Sequence, residues 1–268
     1  MSSTTKTAKK YKGASLFIVA LFLSLAGFAQ GTPDWQLDKM PVDLETDYAL
    51  SALPPHLRKD ATVYLLDPQK GYYVGRPGSN GYICFIARTE WEWSDFRNDV
   101  CTPISYDAEG ARVIFPVYME VAAMRASGKY TATQIKDSIS RRIAIGVYKA
   151  PSKPGMSYML APVMRVFPGG PEVKEPITVS MPHYMLYAPY LTTENARYKP
   201  GTDGLMLANP DNVVLGNGKG PYGYVIIPST EAEKAIIVEE GKELLKRLVA
   251  YRAYFKTETG VAHHMDHE

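Results

Sequence analysis

The stretch ATVYLLDPQKGYYVGRPGSNGYICFIAR, residues 61–88, contains three runs rich in β-branched and aromatic side chains, separated by two short linkers. Such runs are typical of β-strands, and the Asn80-Gly81 dipeptide that precedes the third run is typical of a tight turn. We therefore predict an antiparallel meander of three strands. In the third run, residues 81–88, neither alternating face is clearly polar, which predicts a central strand covered on both sides.

Two amphipathic helices are predicted after this β-rich stretch. Residues 116–127 carry an apolar stripe at helical spacing and are followed by Gly128, a common helix stop. The next helix begins at a capping box, Thr131 to Gln134, and continues with isoleucines at every fourth position. Helices of this kind bury one face against a sheet.

The second half of the chain contains three further strand-like runs, at 157–162, 181–190 and 222–228. A long helix is predicted over about 231–256, after a second capping box that starts at Thr230. We find no internal repeat and no clean linker between domains. The chain therefore predicts one domain rather than two.

The order of these elements predicts an α+β fold, with a mostly antiparallel sheet and helices packed on its faces. We expect a single domain over residues 44–256. An extended arm over 30–43 precedes it, and a disordered, histidine-containing tail over 257–268 follows it.

The first 29 residues have the layout of a secretory signal peptide. A leader with four lysines precedes an uncharged apolar run, residues 14–29, which ends in small residues at Gly27 and Ala29. The run is short for a membrane span, which needs roughly 20 apolar residues. We expect cleavage and a secreted or periplasmic protein, with an uncleaved signal anchor as the alternative.

The charge of the chain changes sign when this leader is removed. The full chain has a formal net charge of +2, but the leader holds four lysines and no acidic residue, so the mature chain stands at −2. A near-neutral domain gives little support to binding of nucleic acid or of an anionic membrane. We expect neither partner after signal cleavage.

The chain has two cysteines, Cys84 and Cys101, with 16 residues between them. The polar stretch 89–110 is predicted to be a long loop. An even pair of cysteines in an exported protein predicts one disulfide, which would fasten this loop to the strand that precedes it. The alternatives are two free thiols or a redox pair. The redox pair is disfavoured because the Cys-x-x-Cys spacing is absent.

His183 is the candidate that could carry chemistry within a predicted strand. A buried histidine can be a general base or a ligand-binding group, although many are core residues whose nitrogens are hydrogen-bonded. The neighbouring Tyr184 and Tyr187, with Tyr72 from the first hairpin, would add an aromatic lining to a pocket. Arg88 is a second candidate, as a partner of His183.

These residues favour binding of a small, partly apolar ligand as the leading hypothesis. A secreted hydrolase that uses His183, with Arg88 or a nearby acid, is the first alternative. A protein-interaction module that uses the long 192–221 loop as its partner surface is the second. The chain shows no nucleophile elbow, phosphate loop, dinucleotide fingerprint or zinc-protease motif, so the sequence leaves enzyme activity open.

The C-terminal tail contains three histidines, His263, His264 and His267. Their spacing would allow a flexible segment to bind Zn²⁺, Cu²⁺ or Ni²⁺, but disordered ligands make weak and unselective sites. We therefore expect no dedicated metal site and no cofactor.

Three segments of the chain resemble sequences from a group of exported bacterial proteins that have no assigned activity. They are SALPPHLRKDATVYLLDPQKGY (51–72), GSNGYICFIAR (78–88) and PHYMLYAPYLT (182–192). The resemblance extends over roughly residues 45–230 and implies export and a shared domain. It implies no catalytic residue.

Overall fold

The computed structural model describes residues 37–88, 100–166, 176–191, 206–207 and 220–257. Within these ranges the chain has mixed α and β content. The strands are β1 (Thr62–Asp67), β2 (Gly71–Arg76), β3 (Ile83–Ala87), β4 (Thr102–Tyr106), β5 (Met156–Met159), β6 (Met164–Val166), β7 (Ile177–Val179), β8 (His183–Tyr187), β9 (Met206–Leu207) and β10 (Tyr224–Pro228). The helices are α1 (Val42–Leu50), α2 (Pro55–Arg58), α3 (Ala108–Val113), α4 (Phe115–Ala126), α5 (Ala132–Ala144), α6 (Glu231–Glu240) and α7 (Lys242–Tyr251), followed by a 3₁₀ turn (Ala253–Phe255).

The strands form two four-stranded sheets, with the orders β2-β1-β3-β4 and β5-β8-β10-β9, and β6 and β7 form a separate hairpin. The two sheets meet edge to edge, because β4 runs beside β5. The Asp107 amide donates to the Met156 carbonyl at 3.3 Å, and the Ser105 hydroxyl donates to the Tyr158 carbonyl at 2.9 Å. Of the strand pairings in the described ranges, β1 with β3 is parallel and the others are antiparallel. The α+β prediction is confirmed.

Helices cover both faces of this assembly, as the alternation of apolar residues requires. On one face, α3, α4 and α5 pack against residues such as Phe85, Tyr106 and Tyr187. On the other, α1 and α7 pack against residues such as Cys84 and Ile86. Every residue of β3 is buried, which confirms the central strand expected from 81–88.

The predicted three-stranded meander is wrong at its third strand. β1 and β2 form the expected antiparallel hairpin, but β3 pairs with the opposite edge of β1 in parallel, through Thr62 and Val63. The linker crosses over because its backbone is held at the start of β1, where the Ser79 amide donates to the Asp60 carbonyl at 2.7 Å. Gly81 has a φ of 82°, so the turn predicted at Asn80-Gly81 is present, but the linker leads to the opposite edge of β1 and does not form a hairpin.

The predicted disulfide is also wrong, because Cys84 and Cys101 are both buried and no disulfide joins them. In the β3–β4 register Cys84 lies opposite Ser105, so Cys101 is four residues further along its strand. At roughly 3.3 Å per residue the two positions are about 13 Å apart, and a disulfide needs Cα atoms closer than about 7 Å. Residues 100–110, which were expected to be loop, contribute β4 and α3 instead.

The long helix expected over 231–256 is divided at Gly241 into α6 and α7. In the described part of the chain, no helix has the length and apolar character needed to cross a bilayer. The predicted signal segment 1–29, most of the 192–221 loop and the tail histidines lie outside the described residues.

Candidate functional site

His183 lies at the start of β8 and is 3% exposed. Its Nδ1 is 2.7 Å from the Met181 carbonyl oxygen, which can only accept, so this nitrogen carries the hydrogen. Burial lowers the pKa of the imidazole, and the bond to Met181 opposes that shift. Among the described residues His183 contacts no nucleophile or carboxylate through a hydrogen bond, which is the contact that general-base catalysis requires.

Tyr184 and Tyr187 lie on opposite faces of β8, as their spacing in a strand requires. Tyr187 packs in the core, and its hydroxyl donates to the Asp107 carboxylate at 2.9 Å. Tyr184 is half-buried on the other face, and its hydroxyl donates to the Glu233 carboxylate of α6. The structure therefore places His183 and Tyr187 on one side of the sheet and Tyr184 on the other.

Tyr72 lies on β2, and the strands β1, β3, β4 and β5 separate it from β8. Tyr72 is connected to Tyr187 of β8 through the core rings of Phe85 and Tyr106, and the successive ring centroids are 5.5, 5.9 and 6.5 Å apart. Its ring packs on Phe85 at 5.5 Å and on Phe115 at 5.8 Å, and its hydroxyl donates to the Ile86 carbonyl. The cavity beside it measures about 20 Å³, room on the order of one water molecule.

Arg88 is 3% exposed, on the sheet face covered by α1. Burial would lower the pKa of its guanidinium, but the nearby Cys101, Tyr254 and Glu45 outweigh that effect and raise it. Glu45 comes from α1 and is 1% exposed, and its Oε1 accepts the Leu66 amide at 2.8 Å. This buried cluster connects α1 to the sheet, and the sheet separates it from His183, which lies on the opposite face.

A larger cavity, of about 300 Å³, lies between α1 and the junction of α6 with α7. Its apolar lining consists of Leu50, Leu160, Pro162, Ile237 and Leu244. Its polar and charged lining includes Ser51, Asp47, Arg58, Glu240 and Arg247. We call this cavity the α1–α6/α7 cleft. Its volume is at the lower end of the range typical of small-molecule sites, about 300–1,000 Å³.

Gly241 sets the shape of this cleft. A Cβ atom at this position would lie 2.6 Å from Cγ of Pro162, so only glycine lets the helix junction approach the proline without a shift of one of them. On α7, Leu248 is fully buried in the core and anchors the helix. Most of the cleft is therefore lined by packed helices, and Leu160 and Pro162 line it from the segment between β5 and β6.

Two arginines of the cleft have different environments. Arg247 donates to the carboxylates of Asp43 and Asp47, at 2.9 and 2.5 Å. Arg58 is half-buried, and its Nε donates to the Leu53 carbonyl at 2.7 Å. In the described part of the chain, no acceptor lies within hydrogen-bonding distance of either terminal nitrogen of Arg58.

The residues of the cleft were missed by sequence reasoning. Arg58 follows a Pro-Pro pair and lies in no motif, and Gly241 lies inside the run that the sequence predicts as one long helix. The α1 and α6–α7 residues are separated by almost the whole domain in sequence, so no local pattern relates them. Among the described residues, no three metal-ligating side chains come together; His263, His264 and His267 lie outside those residues.

The comparisons with known proteins do not extend this description. The chain matches no protein-family model, no curated protein and no solved structure. The resemblance to exported bacterial proteins therefore stays a prediction, and the cleft is the feature of the structure that bears on function.

Proposed function

We propose that the protein binds a small, partly apolar ligand in the α1–α6/α7 cleft. The observation that carries the proposal is a cavity of about 300 Å³ whose lining combines five apolar side chains with a few charged groups. Small-molecule sites typically have this composition, with apolar surface for affinity and a few polar groups for orientation. The site differs from the pocket that the sequence predicted around His183.

The space near the predicted pocket residues supports ligand binding less well. The rings of Phe85, Tyr106 and Tyr187 pack against one another in the core, with centroids 5.9 and 6.5 Å apart. Such close packing fills the interior with side chains. The hydrolase hypothesis has less support than the binding hypothesis, because the bond of His183 to the Met181 carbonyl provides no catalytic partner.

Export through residues 1–29 is part of the proposal. Its support is the basic leader followed by a short apolar run. Native mass spectrometry of the protein purified from the periplasm or the culture medium tests export and binding together. We expect a chain that begins at Gln30 and carries a noncovalently bound small molecule. A chain that retains residues 1–29 would contradict cleavage.

The cleft is tested directly by filling it. Leu244 lines the cleft from α7, so Leu244→Trp places a large ring in the cavity. Val249 is 37% exposed on the same helix and does not line the cleft, so Val249→Trp is the matched control. With 1-octanol as the probe in isothermal titration calorimetry, we expect binding to the unmodified protein and to the control, and its loss in Leu244→Trp. Equal affinity in both variants would contradict the proposed site.

A further inference from the structure

We infer that the ligand of the α1–α6/α7 cleft carries a single carboxylate group, which binds the terminal nitrogens of Arg58. This inference rests on the proposed function and adds the chemical class of the ligand. It depends on the orientation of Arg58, on the charges near it and on the apolar surface beyond it.

Arg58 is held in place with its donors available. The bond from Nε to the Leu53 carbonyl fixes the plane of the guanidinium, and both terminal nitrogens are without an acceptor in the ranges that the structure describes. A guanidinium presents parallel N–H donors that match the two oxygens of a carboxylate. A half-buried cation of this kind gains more from an anionic partner than an exposed one does.

Arg247 does not serve the same purpose, although it lines the same cleft. Asp43 and Asp47 already accept hydrogen bonds from its terminal nitrogens. An incoming anion would have to compete with two carboxylates that belong to the protein. Arg58 is therefore the cation in the cleft that a ligand can reach without breaking an ion pair.

The charges around Arg58 favour a ligand with one negative charge. Glu240 raises the pKa of Arg58 through its charge, while burial lowers that pKa by more. Glu240 and Asp47 both line the cleft and would repel a phosphate dianion more strongly than a monoanion. A monocarboxylate satisfies Arg58 at the smallest cost in repulsion from these two acids.

The rest of the cleft favours a short apolar body. Leu160 and Pro162 are buried beneath it, and Ile237 and Leu244 line it from the two helices. A cavity of about 300 Å³ has the volume of about ten water molecules, which corresponds to a ligand of roughly ten non-hydrogen atoms. Octanoate has this size and carries one carboxylate, and 1-octanol is its uncharged counterpart.

The test measures the affinity of the purified protein for octanoate and for 1-octanol by isothermal titration calorimetry. We expect octanoate to bind more tightly, and Arg58→Gln to lower its affinity about 10- to 100-fold while leaving 1-octanol unchanged. Arg58→Lys keeps the charge without the paired donors and should give an intermediate loss. Lys246→Gln removes an equal charge from the outer surface of α7, where Lys246 pairs with Glu243, and should change neither affinity.

Glu240→Gln should change the affinity for octanoate in the opposite direction to Arg58→Gln. Glu240 is exposed, so its replacement should leave the fold intact. Removing its repulsion should raise the affinity for octanoate about 2- to 5-fold. If both probes bind equally and none of these variants separates them, the carboxylate inference is wrong and the binding function stands. If neither probe binds, the proposed function fails with it.

Discussion

Glu45 is an acidic side chain whose burial in the fold could not be inferred from its position in the sequence. The sequence VDLETDYAL places it in the first turn of α1, where an acidic residue is usually a solvated favourable charge. In the fold it is 1% exposed and accepts the Leu66 amide. Burial raises the pKa of its carboxyl from 4.5 to about 7, against the lowering effects of the Leu66 hydrogen bond, Arg88 and Lys39.

This pKa shift predicts a loss of stability as the pH rises. Because the folded protein holds the proton of Glu45 more tightly than the unfolded chain, the carboxyl stabilises the fold below about pH 4.5, and that contribution disappears as the pH passes through about 7. Between about pH 5 and pH 8, the free energy of unfolding should fall by about 2 kcal/mol from this group. Urea unfolding at several pH values measures the effect.

Glu45→Gln should remove this pH dependence, because an amide keeps an acceptor for Leu66 and does not titrate. Glu239→Gln is the matched control, since Glu239 is exposed and pairs with Lys242. His183 acts in the opposite direction, because its lowered pKa costs stability as the pH falls below 6.5. A Glu45→Gln protein whose stability still falls between pH 5 and pH 8 as in the parent would contradict the assignment.

Cys84 and Cys101 are a second case in which the fold overturns an expectation drawn from the sequence. An exported chain with two cysteines predicts a disulfide from composition and compartment, but the β3–β4 register decides whether the sulfur atoms can meet. Cys84 faces Ser105, and burial raises the pKa of its thiol. Compartment determines whether a bridge would be stable, and geometry determines whether it can form.

At the scale of single elements, the helix termini followed the sequence closely. The capping box at Thr131 is complete, since its Oγ1 accepts the Gln134 amide and the Gln134 side chain accepts the Thr131 amide. The box expected at Thr230 is half formed. Its Oγ1 accepts the Glu233 amide, but the Glu233 carboxylate accepts Tyr184 from β8. A tertiary partner has replaced the local one.

Thr131→Ala should lower the free energy of unfolding by about 1 kcal/mol, because the Gln134 amide loses its cap. Thr133→Ala is the control, since Thr133 is exposed in the first turn of the same helix. That variant should be unchanged or slightly more stable, because alanine is the better helix former. Thermal and urea unfolding of both variants measure the difference, and equal losses would show that the cap contributes nothing.

At the scale of the whole molecule, the junction of β4 with β5 joins the two sheets. Ser105 is fully buried there, and its Oγ donates to the Tyr158 carbonyl and accepts the Tyr158 amide, at 2.9 and 3.0 Å. Ser157 adds a bond to the Ser105 carbonyl. Between β4 and β5, the Ser105 side chain therefore makes hydrogen bonds that backbone groups make between ordinary neighbouring strands.

Ser105→Ala should cost about 3 kcal/mol, because it leaves the amide and the carbonyl of Tyr158 buried without these bonds. We expect faster hydrogen exchange at Tyr158 and its neighbours on β5, and a lower urea midpoint. Ser79→Ala, at an exposed loop position, should stay within about 0.5 kcal/mol of the parent. Unchanged exchange at Tyr158 would mean that the two sheets are joined mainly by packing.

Much of the fold was predictable from local patterns, because hydrophobic spacing and capping residues act over a few positions. One example is α4, which matches the predicted helix over 116–127. Others are α5, which begins at its predicted capping box, and β3, which is buried on both faces as predicted. The strand β4 was missed because TPISY is short and follows a polar stretch. The cleft was missed because Arg58 and Glu240 meet only through the fold.

By itself, the sequence determined the helices α4 and α5, the strands β1, β2 and β3, and the burial of β3 on both faces, because burial of apolar residues imposes the helix and strand periods. Only the tertiary structure decided the parallel pairing of β1 with β3, the separation of the two thiols and the place of the cleft. These features depend on which distant segments become neighbours. That choice follows from how whole faces pack against each other. The close approach of Gly241 to Pro162 is an example, and no local pattern in the sequence predicts it.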